Sequence, residues 1–216
     1  MTPDRRVRLR REAWGFAIGS VFFAVGAVPF YAEAVGPVLT NLTFFIGAIF
    51  FTLAAFIQLA LSGRRPPRRG SNRADRADWW GSAVQFVGTL FFNMSTGAAL
   101  ITVVNTETLV GSGWVPDALG SVCFLVASAF AVAATTDREG LWDPQARSWR
   151  CTWLNMAGSV FFGLSAIGAF VLPATSDFVS LLWANLGTFL GALCFLVAAL
   201  LSRRDIPVDA APAQAA

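Results

Sequence analysis

Any chemistry done by this chain would have to come from a short inventory of side chains. There is no histidine and no lysine, because all 16 basic residues are arginine. That excludes imidazole metal sites, histidine-ligated haem, histidine general bases and lysine Schiff bases. The three cysteines, Cys123, Cys151 and Cys194, show no C-x-x-C or other metal-ligand spacing. Asn93, Ser95 and Thr96 form a polar cluster inside an apolar stretch. Asn93 and Thr96 are three apart and share a helical face. They could line a narrow polar path or touch a substrate; the plainer reading is interhelical hydrogen bonding, worth about 0.6–2 kcal/mol in lipid. Four acids, Glu33, Glu107, Asp117 and Asp177, fall at the ends of apolar runs. Together they could concentrate cations. As plain solvated charges they need no such role, and Asp117 follows Pro116, where a helix dipole favours an anion. This inventory predicts no enzyme and no cofactor.

The elements that must position these residues follow from charge spacing. Hydrophobic residues make up 56% of the chain and charged ones 13%, about half the usual soluble share, so lipid is the expected solvent. Charge-free runs cover 13–32, 34–63, 79–106, 118–136, 151–176 and 178–202. Each reaches the roughly 20 residues that a helix needs to cross a bilayer, the fourth only just. They are apolar all round rather than alternating, which predicts helices and not barrel strands. Every arginine lies before the first run, between the second and third, between the fourth and fifth, or after the sixth. By the positive-inside rule that side is cytoplasmic, with both termini there. Trp14, Trp79, Trp80, Trp149 and Trp153 stand at the same side, as interfacial anchors would.

Residues 1–34 also carry a secretory-signal pattern: RRVRLRR, an apolar run, then Ala32-Glu33-Ala34. The run is long for a signal, and an internal repeat makes it equivalent to later helices, so it is read as a retained span. That repeat is a pentapeptide: GSVFF at 19–23, GAIFF at 47–51, GTLFF at 88–92, GSVCF at 120–124, GSVFF at 158–162 and GALCF at 191–195. Its glycines, Gly19, Gly47, Gly88, Gly120, Gly158 and Gly191, each precede by four residues a phenylalanine: Phe23, Phe51, Phe92, Phe124, Phe162 and Phe195. Gly and Phe therefore share a face, where a small residue admits a neighbour and a large one fills the gap. The expectation is an all-α polytopic membrane protein: a single membrane domain over 1–216, six transmembrane helices as three repeated hairpins (about 13–63, 79–136 and 151–202), and a disordered tail at 203–216. Gln85 and Asn155, each three before a motif glycine, are expected to make repeated hydrogen bonds.

Trp14 to Phe23 follows the pattern W-x4-G-S-x-x-F and pairs with Gly47 to Phe51; Trp153 to Phe162 pairs with Gly191 to Phe195 in the same way. These hairpins resemble the YrhK-like domain, a small bacterial membrane domain. The middle hairpin departs by placing Trp80 eight residues before Gly88. The resemblance implies a bacterial multi-pass membrane protein and carries over no catalytic or binding residue. The expected partners are the lipid bilayer, anionic lipid at the Arg64–Arg73 loop, and a second copy or another membrane protein. The loop lacks the interleaved aromatics of a nucleic-acid site, and no nucleic acid is expected.

Overall fold

A computed structural model describes residues 3–63, 65–68, 70–105, 113–172 and 177–203. Of the expected tail at 203–216, Arg203 is the last residue of the sixth helix and 204–216 lie outside the described residues, as do Arg64, Arg69 and Glu107. Six helices make up the fold: α1 (Pro3–Gly26), α2 (Pro29–Ser62), α3 (Arg73–Asn105), α4 (Trp114–Glu139), α5 (Arg147–Gly168) and α6 (Leu181–Arg203). Each packs on its neighbours in chain order, and α6 returns to α1, so the six close into a ring. Five of them, α2 to α6, are long and apolar enough to cross a membrane.

The first helix differs from the sequence expectation. Its N-terminal half holds Arg5, Arg6, Arg8, Arg10, Arg11, Asp4 and Glu12 on continuous helix rather than on a flanking loop. Its apolar part stops early, because the chain turns at Ala27–Val28 and Pro29 opens α2. The charge-free run 13–32 is thus divided between two helices. Proline suits the first helical position, where its missing N–H leaves nothing unpaired. Within α2, Gly36 adopts φ 78°, a conformation that a side chain would strain, and Pro37 restarts the helix behind it. Thr40 Oγ1 donates to the Gly36 carbonyl at 2.8 Å. Tyr31 and Thr43, whose hydroxyls lie 2.7 Å apart, tie the short segment before the kink to the long one after it.

The core has an unusual composition. Among the described residues every buried hydrophobic side chain is alanine or phenylalanine, whereas no valine, leucine or isoleucine is buried and many are exposed. In water this would be inverted. In lipid, branched aliphatics gain nothing from the interior, and helix association depends on close approach through small residues. At the end away from the arginines, Trp114 Nε1 donates to the Ala166 carbonyl at 2.8 Å and its ring meets Phe170 edge-on. An isolated antiparallel bridge, Val171 to Phe178, pins the α5–α6 connection.

Candidate functional site

The motif residues meet inside each hairpin. Because the two helices run antiparallel, the glycine of one faces the phenylalanine of the other. A Cβ on Gly19 would stand 2.5 Å from Phe51 Cδ2, and one on Gly47 3.0 Å from Phe23 Cδ2. The second hairpin repeats this exchange, with Gly88 2.9 Å from Phe124 Cδ2 and Gly120 3.2 Å from Phe92 Cδ1. In the third, Gly158 would meet Phe195 Cε2 at 3.0 Å and Gly191 would run into Phe162. Each glycine also faces backbone or Cβ atoms of its partner helix, so the helices touch main chain to main chain.

The six phenylalanines, each no more than 6% exposed, then converge on the centre of the ring. Phe23, Phe92 and Phe162 form one triangle, with centroids 5.7–6.4 Å apart. Phe51, Phe124 and Phe195 form a second, 5.6–6.2 Å apart. The two triangles join through the hairpin pairs at 5.4, 5.1 and 5.3 Å. Most contacts are edge-on or tilted, the arrangement that aromatic quadrupoles favour by about 0.5–1.5 kcal/mol a pair beyond area burial.

The polar residues picked out from sequence are dispersed. Asn93 Nδ2 donates to Thr52 Oγ1 of α2, and to the Thr89 carbonyl at 3.0 Å, stitching the first hairpin to the second. Thr96 Oγ1 bonds back to the Phe92 carbonyl at 2.7 Å. Glu33 and Asp177 are exposed. Asp117 is half-buried in the first turn of α4, not a fully solvated loop charge, and it lines a recess of about 360 Å³ with Ser95, Trp114 and Phe178. Cys123, Cys151 and Cys194 are not joined in disulfides, and the Cys151 thiol donates to the Ala198 carbonyl at 3.5 Å.

A polar cavity that the sequence did not reveal lies at the arginine-rich end, lined from all six helices. It has two lobes, of about 240 and 170 Å³, and both are bordered by Glu12, Gln58 and Gln85. The larger reaches Arg5, Asp78 and Ser82; the smaller reaches Cys151, Asn155 and Ser202 and ends on Phe16 and Phe195 of the aromatic core. Gln85 and Asn155 were expected to make repeated hydrogen bonds. They line this cavity instead, and among the described residues no side-chain hydrogen bond engages either. Gln58 Oε1 is buried without a donor. Burial pushes the Glu12 carboxyl up to about 7. Asp78, at the rim, accepts from Arg138 at 2.6 Å, which also holds Asp75 at 2.9 Å. Glu12 escaped notice because it sits beside five arginines in the sequence and reads as one more flanking charge. The usable signal was its position seven residues before Gly19, two helical turns along the motif face.

Among the described residues no group of three or more His, Cys, Asp or Glu side chains could hold a metal ion. No protein-family model, curated protein or solved structure matches the chain.

Proposed function

We propose that the chain is a non-enzymatic integral membrane protein of six spans, three repeated hairpins of the YrhK-like kind, that acts by packing against lipid, a second copy or another membrane protein. The carrying observation is the pair of phenylalanine triangles across the middle of the ring, where a conduit would need polar lining and water. A channel or carrier between the hairpins is the second reading, favoured by the polar cavity at the arginine-rich end. Packing takes precedence because that cavity ends on Phe16 and Phe195.

The sixth span is α1. Its apolar stretch is short, but it packs between α2 and α6, so it shares the layer they occupy. The arginine-rich end faces the cytoplasm of a bacterial plasma membrane, with both termini on that side. There Arg65, Arg68 and their loop neighbours meet anionic lipid at about 1 kcal/mol each, and the Arg203 guanidinium lies 4.0 Å from the Trp14 ring centroid.

Purified protein in liposomes should pass no ion or small solute above the protein-free background. A flux that falls when Asn93 is replaced by leucine would overturn the packing reading in favour of transport.

A further inference from the structure

The cavity at the arginine-rich end has a chemistry that packing alone does not require. Where its lobes meet, a carboxylate from α1 and amides from α2 and α3 converge: Glu12, Gln58 and Gln85. An ionised carboxylate only accepts hydrogen bonds, and either amide can turn its oxygen inward. Gln58 Oε1 is already buried with no donor, and among the described residues no hydrogen bond or ion pair engages the side chains of Glu12 or Gln85. Ser82 Oγ donates to the Asp78 carbonyl at 2.8 Å, which leaves its own lone pairs as further acceptors. Arg5 lines only the larger lobe; the smaller one holds Glu12 as its single charged side chain and no basic residue, with amides that can accept as well as donate, so ionised Glu12 selects an occupant with N–H groups and a positive charge. A bare metal ion fits poorly, since hard cations draw on several carboxylates or a tight oxygen shell, and the lobes are far larger than an ion.

We propose that this cavity is a binding site for a small organic cation bearing N–H donors, a primary ammonium or a guanidinium, seated between Glu12, Gln58 and Gln85. The site is independent of whether the protein conducts, because binding at a dead end needs no path through the phenylalanine core.

The test is equilibrium binding of radiolabelled guanidinium and methylammonium to the full-length purified protein in detergent at pH 8. Saturable 1:1 binding is expected, displaced by the unlabelled cation and not by sodium. Glu12→Gln and Gln58→Leu should each weaken it at least tenfold, while Asp177→Asn should leave it unchanged. Absence of saturable binding, or equal binding in Glu12→Gln, overturns the proposal. If either cavity variant fails to elute as folded protein, the wild type decides the matter. Cys151 lines the smaller lobe, so guanidinium should slow its alkylation by a neutral methanethiosulfonate at least threefold, read by peptide mass spectrometry, with sodium chloride as the control. Equal rates with both salts count against the site.

Discussion

Gly19 and Gly163 look alike in sequence, both glycines inside apolar helices, yet they answer differently to one added methyl group. At Gly19 the methyl meets the Phe51 ring at 2.5 Å and the Gly47 carbonyl at 2.9 Å, and Phe51 is held by the aromatic core. At Gly163 it meets only Leu125 Cδ1 at 3.5 Å, an ordinary contact. Gly19→Ala should therefore cost about 1–3 kcal/mol through overpacking. Gly163→Ala should gain up to about 1 kcal/mol from helix propensity. Unfolding midpoints in mixed micelles separate the two by sign. Glu12 supplies a second test. With its carboxyl raised from 4.5 to about 7, the folded chain keeps between those values a proton that the unfolded chain has lost. Stability should fall as pH rises through that window and level off above it. The charged and titratable groups around the same cavity are Arg5, Asp78 and Cys151. Glu12→Gln stays neutral throughout, so its melting temperature should equal wild type near pH 4.5 and exceed it above pH 7. The gain is about 1–2 kcal/mol, discounted because the side chain is only half-buried.

At the level of elements, the joints within hairpins differ from those between them. Inside a hairpin, glycine and phenylalanine interlock with almost no polar contact at the motif. Between hairpins, hydroxyls and amides do more of the joining: Asn93 to Thr52 across α3 and α2, the Ser128 and Ser159 hydroxyls 2.9 Å apart across α4 and α5, and Thr135 with Thr152 at the same distance. A double-mutant cycle with Asn93→Leu and Thr52→Val should return a coupling of about 0.6–1.7 kcal/mol. A coupling near zero would mean that packing alone joins the first two hairpins. The Gly–Phe spacing was legible because a four-residue interval places both side chains on one face whatever the tertiary fold. The break at Ala27–Val28 was not. A charge-free run records where ionisable residues stop, and a turn made of apolar residues leaves no mark in that count. Gln85 and Asn155 were misjudged for a related reason: position along a helix gives depth and face, but only the neighbouring helices decide whether a partner stands opposite.

Taken whole, the molecule is a ring whose wall presents branched aliphatics outward and alanine and phenylalanine inward. The helical class and the outward apolar surface were readable from composition and run length. Closure of the ring was not, because it depends on the contact of α6 with α1, the pair most distant in sequence. That same contact has a consequence for biosynthesis. The sixth helix completes a wall begun by the first, and Phe195 reaches Phe51 only once that helix is in place. Until that moment a nascent chain holds two finished hairpins with an open flank, and lipid tails occupy the place of the final pair. Maturation thus waits on the sixth helix, and a chain stalled after its fourth helix displays a bare edge that membrane quality-control proteases can recognise.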